Sequence, residues 1–239
     1  MLQRFNAYID GFNLYKGALE KRPELKWLDV RSLCAALMPQ CQLNRVYYFT
    51  SRVKRRYDGD RAPDRQHLYL RALMSSKVDV VYGKTEKNEN WMRIVSHKRD
   101  EFLEPNLASH FGLTQRALNK CFIKARPDQP KARVQFFGEK GTDVNIASYL
   151  LRDIYKNSDV CALVLSGDSD LITPIKFAGD EGVHVRVVIP NSGQRSARIK
   201  EVCSDVEFLN LDLVSANQFP QNFFSAKGRI LKRPESWQK

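Results

Sequence analysis

Acidic residues occur in three short motifs whose composition suits a divalent cation. Asp10 directly follows an apolar run, Asp143 opens a predicted helix, and Asp168 and Asp170 come just after a second apolar run. Carboxylate ligands without histidine or cysteine select Mg²⁺ or Mn²⁺ rather than zinc. The chemistry that these residue types predict is therefore binding of a hard cation.

Each motif also has a simpler structural explanation. A single aspartate after a strand is most often a turn or helix-capping residue, and Asp143 could merely complement the dipole of its helix. The combination of the three motifs is more informative, because unpaired like charges that converge at one place repel each other. Proteins normally avoid such a cluster unless a cation lies among the carboxylates.

Strand-like runs alternate with helix-like runs along the chain, which predicts an α/β fold with a mostly parallel central sheet and helices on both faces. The predicted strands cover residues 5–9, 45–50, 78–82, 134–137, 160–165, 183–189 and 206–209. Open parallel sheets bind their ligands beyond the carboxyl ends of the strands. This architecture would bring the three acidic motifs to one edge of the sheet.

The domain organisation follows from where the alternation is clear. Residues 1–216 are predicted to form one domain, with an insertion at about 84–133 where the pattern is harder to interpret. Residues 217–239 contain proline and lysine and are predicted to form a basic C-terminal tail.

Together the motifs resemble a known family. Asp10-Gly-Phe-Asn-Leu, Lys140-Gly-Thr-Asp-Val and Ser166-Gly-Asp-Ser-Asp-Leu, in that order, resemble the NYN domains, which are PIN-like nucleases, and are most similar to their LabA-like branch. The resemblance covers about residues 4–82 and 134–212 and implies a PIN-like three-layer fold. Thr142 departs from the pattern, since many relatives carry a small apolar residue there.

The resemblance also implies roles for individual residues. Asp10, Asp143, Asp168 and Asp170 match the metal-binding acids of the family, with the first three as the catalytic residues, and Asn13 matches the polar residue beside them. The expected activity is that of a metal-dependent ribonuclease. Mg²⁺ or Mn²⁺ would lower the pKa of a bound water for hydrolysis of the RNA phosphodiester. The resemblance implies products with a 5′-phosphate and a 3′-hydroxyl.

Basic residues indicate where RNA would bind. The chain has a formal net charge of +12 and a pI of about 9.5, a surplus that favours phosphate-bearing partners. Arg52, Lys54 and Arg55 share one loop with tyrosines nearby, a combination that suits single-stranded RNA. Arg195 opens a predicted helix and could hold a phosphate. The alternative for the loop is a solvated charged surface.

Two other functions remain as alternatives. A PIN-like scaffold could bind RNA without cleaving it, although pure binding gains nothing from an acidic cluster. A Mg²⁺-dependent phosphatase usually needs a second acid shortly after its nucleophilic aspartate, and the residues after Asp10 lack one. Neither the phosphate-binding P-loop motif nor the dinucleotide fingerprint occurs in the sequence.

The remaining composition predicts a cytoplasmic protein with no membrane partner. The five cysteines are scattered without metal-binding spacing and are typical of buried thiols in a reducing compartment. We identify neither a signal sequence nor an apolar run long enough to span a bilayer. The sequence leaves the oligomeric state open, and a homo-oligomer is among the states compatible with it.

Overall fold

The computed structural model describes residues 3–93, 124–126, 129–156, 160–191, 197–225 and 227–238. The chain forms two compact units: the first comprises Met1–Thr85 and Glu139–Lys239, and the second is Glu86–Gly138. The second unit overlaps the segment that we expected to be an insertion. All the acidic motifs lie in the first unit.

A parallel sheet forms the centre of the first unit. The described strands are, in chain order, β1 (Arg4–Asp10), β2 (Gln42–Thr50), β3 (Asp79–Tyr82), β4 (Lys84–Arg93), β5 (Lys124–Arg126), β6 (Gln129–Lys140), β7 (Val160–Leu165), β8 (Val185–Ile189), β9 (Asp205–Phe208), β10 (Asn222–Phe224) and β11 (Ile230–Lys232). Six of them form one sheet in the order β3-β2-β1-β7-β8-β9, and every neighbouring pair is parallel. The predicted α/β fold with a mostly parallel sheet is confirmed.

Helices connect these strands. The described α-helices are α1 (Gly11–Leu14), α2 (Val30–Leu37), α3 (Ala62–Ser75), α4 (Thr142–Lys156), α5 (Ile172–Asp180), α6 (Ala197–Val202) and α7 (Leu211–Ala216). A π-helical turn continues α1, and short 3₁₀ turns complete the list at Pro23–Leu25, Ser169–Leu171 and Glu235–Trp237. Within the described residues, no helix has both the length and the apolar character that crossing a membrane requires.

The central strands are buried because helices cover both faces of the sheet. In β1, Ala7 and Ile9 belong to the hydrophobic cluster that includes residues of α2 and α3, whereas Tyr8 belongs to a second cluster. Ile146 and Leu150, one turn apart on α4, pack in that second cluster. This alternation is the pattern expected for a central parallel strand with a core on each side.

The order of the strands fixes where a ligand can bind. From β1 the chain continues to β2 and β3 on one side of the sheet. From β7 it continues to β8 and β9 on the other side, so the direction of the strand order reverses between β1 and β7. Such a reversal opens a crevice at the carboxyl ends of the two strands. Asp10 is the last residue of β1, and Asp168 lies just beyond the end of β7.

The strand before Asp143 lies in a different sheet from the one we predicted. β6 belongs to a three-stranded sheet of order β4-β6-β5 and runs antiparallel to β5. The expectation that Asp143 follows a strand of the parallel sheet is therefore wrong. The residue lies instead in the first turn of α4, which packs on the parallel sheet.

The C-terminal segment also differs from the expected tail. Over its described residues it forms the antiparallel hairpin β10–β11 and buries Phe219, Leu231 and Trp237. The indole ring of Trp27 explains this packing, since its centroid lies 5.7 Å from that of Phe219 and 6.3 Å from that of Trp237. The Trp27 Nε1 also donates a hydrogen bond to the Pro220 carbonyl at 2.9 Å. These residues are part of the hydrophobic core.

Candidate metal centre

Three carboxylates converge at the crevice between β1 and β7. One carboxylate oxygen from each of Asp10, Asp143 and Asp168 lies within 4.8 Å of the other two. Asp10 is buried, and the other two are half-buried. The structure thus brings together the three acids that we expected to be adjacent, at a spacing that lets one cation contact all of them.

Asp10 is held in place by two hydrogen bonds. Its Oδ1 accepts from the backbone N–H of Asn13 at 2.9 Å, which makes Asp10 the N-cap of α1. Its Oδ2 accepts from the Ser166 hydroxyl at 2.9 Å. Gly11 is needed beside it, because a Cβ there would lie 2.7 Å from the Phe49 carbonyl oxygen. The carboxylate of Asp10 is therefore oriented before any ligand binds.

The loop after β7 fixes the second acid. The Ser166 hydroxyl oxygen accepts from the backbone N–H of Asp168 at 3.1 Å, and Asp168 Oδ1 accepts from the N–H of Asp170 at 3.0 Å. The side-chain oxygen of Asn13 accepts from the N–H of Gly167 at 3.1 Å. Asn13 therefore links the turn after β1 to the turn after β7.

Asp143 reaches the cluster through a tight turn before α4. Gly141 has a φ of +84°, a conformation that favours glycine. The Thr142 hydroxyl donates to the Glu139 carboxylate. A Cβ at Gly83 would lie 2.5 Å from Thr142 Oγ1, so the chain after β3 passes very close to this turn. These contacts account for the Lys-Gly-Thr-Asp motif in structural terms.

The electrostatics of the cluster favour uptake of a cation. Burial raises the pKa of Asp10 to about 6, and the charges of Asp143 and Glu139 act in the same direction, against the two hydrogen bonds that lower it. Burial also raises the pKa of Asp143, with further contributions from the charges of Asp168 and Asp170. Within the described part of the chain, no lysine or arginine forms a salt bridge with the three clustered aspartates. Their mutual repulsion is not compensated there by a basic side chain.

Two residues of the site did not appear among our predicted site residues. Ser166 contacts Asp10 directly, and Glu139 adds a fourth negative charge close enough to raise the pKa of Asp10 and Asp143. Ser166 begins one of the motifs that carry the family resemblance and Glu139 directly precedes another, so their position in the sequence was the available signal. A serine that orients a carboxylate leaves no trace in residue spacing alone.

The other predicted metal ligand, Asp170, is in a different position. Its side chain is exposed, and it is not among the three acids whose oxygens lie within 4.8 Å of one another. Its charge nevertheless raises the pKa of Asp143. Asp170 is close enough to influence the cluster without belonging to that group.

The predicted basic loop is exposed and anchored. Arg52, Lys54 and Arg55 are all exposed. The guanidinium of Arg52 lies 4.7 Å from the ring centroid of Tyr82, and Arg55 lies 3.7 Å from the carboxylate of Asp64. The remaining predicted contact, Arg195, lies outside the described residues.

Hydrogen bonds hold the backbone of this loop at several points. Gln66 accepts from the N–H of Val53 and donates to the carbonyl of Ser51, both at 2.8 Å. The hydroxyl of Thr85 donates to the carbonyl of Arg52 at 2.7 Å. The loop therefore presents its basic side chains from a fixed backbone.

Comparison with known proteins identifies relatives over most of the chain. The 6-hydroxy-3-succinoylpyridine 3-monooxygenase HspA of Pseudomonas putida (strain DSM 28022 / S16) is 26% identical over 259 residues, which span 98% of this chain and 75% of the relative. A solved structure of a protein of unknown function, VPA0982 from Vibrio parahaemolyticus RIMD 2210633, is similar with a TM-score of 0.46 and 10% identity. That similarity covers 88% of this chain and 94% of the other.

The family assignment rests on a family model that matches most of the chain. The NYN domain family matches residues 4–212, which include all three acidic motifs and the strands that position them. Members of this family are generally nuclease-like hydrolases. This chain belongs to the NYN domain family.

Proposed function

We propose that this protein is a metal-dependent ribonuclease that hydrolyses the phosphodiesters of single-stranded RNA. The observation that carries the proposal is the convergence of three carboxylates within 4.8 Å, none of which forms a salt bridge with a lysine or arginine of the described residues. An all-carboxylate set suits Mg²⁺ or Mn²⁺. Such an ion, when bound, lowers the pKa of a bound water and neutralises charge on the phosphate.

The acidic residues and Ser166 would have different roles in binding the cation. Asp10, Asp143 and Asp168 would hold the cation, with Asp170 as a further acid at the edge of the site. Ser166 keeps the carboxylate of Asp10 oriented through its hydrogen bond of 2.9 Å. A ligand held in place by a second residue loses little freedom when the ion binds, which favours affinity.

Basic and polar residues near the site would bind the RNA. Arg52, Lys54 and Arg55 offer exposed cations to the phosphates, and Arg195 is proposed to do the same from its segment. Asn13, one turn after Asp10, would stand beside the scissile phosphate. The free thiols of the described cysteines support the further proposal of a reducing, cytoplasmic location.

The name of one relative raises an oxidative alternative. That relative is named as a monooxygenase acting on a substituted pyridine. Oxygen-activating iron sites commonly combine two histidines with one carboxylate, whereas the cluster found among the described residues contains only carboxylates. The donor set therefore favours hydrolysis. Oxygen-dependent conversion of 6-hydroxy-3-succinoylpyridine by this protein would favour the alternative.

The test measures cleavage of a labelled single-stranded RNA with Mg²⁺ or Mn²⁺, and again after EDTA is added. We expect cleavage only with the metal, and loss of cleavage in Asp10→Asn. Asp153→Asn is the matched control, because Asp153 lies on α4 outside the three-carboxylate cluster. Undiminished cleavage in EDTA would contradict a metal mechanism. If RNA is bound but stays intact in excess Mn²⁺, the protein is a binding module.

A further inference from the structure

An exposed surface of aromatic and lysine side chains follows directly after Asp10. Phe12 is 54% exposed and Tyr15 is 38% exposed. A lysine ammonium lies over each ring: Lys16 is 5.9 Å from the centroid of Phe12, and Lys26 is 5.2 Å from that of Tyr15. We call these four residues the Phe12 surface.

This surface is part of the turn that the metal-site residues hold in place. Asp10 caps α1 through the N–H of Asn13, and Asn13 in turn binds the loop that carries Asp168. Phe12 lies between these two residues in the sequence and is exposed, while its neighbours Gly11 and Leu14 are buried. The backbone that carries Phe12 is therefore held within one helical turn of Asp10.

Single exposed aromatic residues are common on protein surfaces and need no explanation. The Phe12 surface differs because two rings, three residues apart, lie on adjacent positions of one helical face. The surrounding charge is positive: Lys16, Lys21 and Lys26 all lower the pKa of Glu20. Lys16 also forms a salt bridge with Glu20, so in this part of the described chain three lysines lie close enough to one glutamate to influence it.

We infer that the Phe12 surface binds the bases of a single-stranded nucleic acid next to the metal centre. The aromatic faces would stack on unpaired bases, and the lysines would contact the phosphates between them. A duplex fits poorly, because its bases are already stacked on each other. The inference rests on the proposed nuclease function for its position along the substrate, but the binding itself requires no cleavage.

A third exposed aromatic residue, Tyr82, lies near the turn that leads to Asp143. Tyr82 is 38% exposed and lies under the guanidinium of Arg52. The next residue, Gly83, approaches Thr142, which precedes Asp143. Exposed rings thus lie close in the chain to two members of the acidic cluster: Phe12 follows Asp10 by two residues, and Tyr82 precedes Gly83, which approaches the residue before Asp143. A single strand bound at the cluster would have both rings available for its bases.

The experiment measures binding of a short fluorescent oligoadenylate by anisotropy, with Ca²⁺ present and again in EDTA. Phe12→Ala should weaken binding roughly tenfold, as expected for the loss of one stacked base. Phe12→Trp should retain it, because the larger ring still stacks. Phe224→Ala is the matched control, since Phe224 is 63% exposed on the hairpin β10–β11, and it should bind as the wild type does.

A second arm identifies the base that is stacked. One nucleotide of the oligoadenylate is replaced at each position in turn by an abasic residue. At one position, removal of the base should weaken binding to wild-type protein as much as Phe12→Ala weakens binding of the intact strand. When the abasic position and Phe12→Ala are combined, binding should weaken no further. Additive effects at every position, equal binding by Phe12→Ala and the wild type, or equal binding of duplex and single strand would each overturn the inference.

These outcomes are separable from those that test the proposed function. If wild-type protein leaves RNA intact in Mn²⁺ but shows the Phe12-dependent binding, the nuclease proposal fails and this inference stands. If RNA is cleaved but Phe12→Ala binds normally, the nuclease proposal stands and this inference fails. Wild-type protein that binds no oligonucleotide at all would also overturn the inference.

Discussion

Helix α4 carries an aspartate near each end, and the two have opposite surroundings. Asp153, near the end of α4, accepts hydrogen bonds from Asn6 at 3.2 Å and from the Tyr8 hydroxyl at 3.1 Å. Arg152 also donates to it, through two nitrogens at 2.6 and 2.9 Å. Asp143, in the first turn, faces other acids instead.

Residues of one strand, β1, lie beside the aspartates at both ends of α4. Asn6 and Tyr8 satisfy Asp153, whereas Asp10 at the end of the strand adds a further negative charge beside Asp143. The chain is thus able to compensate a half-buried carboxylate, and does so with neutral donors and an arginine in one place. Among the described residues no salt bridge compensates the cluster at the carboxyl ends of the strands, and a cation that comes from solution would supply the missing positive charge.

The largest expected effect is on cleavage by Asp143→Asn. The amide keeps the shape of the side chain but is a weaker ligand for a hard cation. We expect the rate of RNA cleavage at limiting Mg²⁺ to fall by at least about a hundredfold. Asp153→Asn should cleave at close to the wild-type rate. Wild-type cleavage by Asp143→Asn would mean that Asp143 is only a helix-start residue.

The second prediction concerns pH and the metal-free protein. The pKa of Asp10 is about 6 in the folded chain, against an ordinary value of 3.8. Well below pH 3.8 the residue is protonated in both the folded and the unfolded state. As the pH rises from about 4 to about 6, the unfolded chain ionises while the folded protein retains its proton, so the folded protein loses stability across this window. The loss attributable to Asp10 is about 3 kcal/mol at most.

The measurement is the free energy of unfolding in EDTA between pH 4 and pH 7, for wild type and Asp10→Asn. The difference, wild type minus variant, should fall with increasing pH and level off above about 6. Saturating Mg²⁺ should remove the fall, because the cation stabilises the ionised form. A difference that is independent of pH would show that the pKa of Asp10 is not raised in the metal-free folded protein.

The third prediction is that replacing aspartate by asparagine has opposite effects on the free energy of unfolding at the two ends of α4. Asp153→Asn should lower the free energy of unfolding in EDTA by about 2 kcal/mol, because charge-assisted hydrogen bonds from Tyr8 and Arg152 are lost. Asp143→Asn should leave stability unchanged or raise it, since one repulsive charge is removed. Denaturant unfolding of the two variants checks this. If both variants lose stability equally, the contrast between the two ends is wrong.

Sequence reasoning predicted the parallel sheet because apolar periodicity records burial on both faces. Val160–Leu165 was predicted with the bounds that β7 has, and the strand that ends at Asp10 was placed within a residue at each end. The acids were found for the same reason, since the carboxyl ends of such strands are recognisable positions. Their mutual distance follows once the strands are adjacent.

Other features depend on contacts that residue patterns do not record. Residues 134–137 read as a core strand, but β6, which contains them, pairs outside the parallel sheet, and only its partner strands decide that. The C-terminal segment has the sequence pattern of a tail, because polar residues and prolines separate Phe219, Leu231 and Trp237. The contact with Trp27, which buries these residues, cannot be seen in that pattern. The exposed position of Phe12 depends on the turn that Asp10 caps, and not on its own residue type.

The smallest effect concerns the basic loop and tests where the RNA enters. Replacing Arg52, Lys54 and Arg55 together by alanine should weaken RNA binding and flatten its dependence on salt, because each phosphate contact releases counterions. The slope of log affinity against log salt should fall by about 1.5 for a single strand, since each full phosphate contact contributes about 0.7. The reduction is less than three full contacts would give, because Arg55 is partly neutralised by Asp64.

The matched control replaces three exposed basic residues of the C-terminal segment, Lys227, Arg229 and Lys232, by alanine. Both triple variants lose the same formal charge, so a general loss of electrostatic attraction would flatten the two slopes equally. A specific RNA path along the loop would flatten only the first. If the slope stays at the wild-type value in the loop variant, the RNA follows another route across the carboxylate cluster, and the Phe12 surface would then carry the larger share of the affinity.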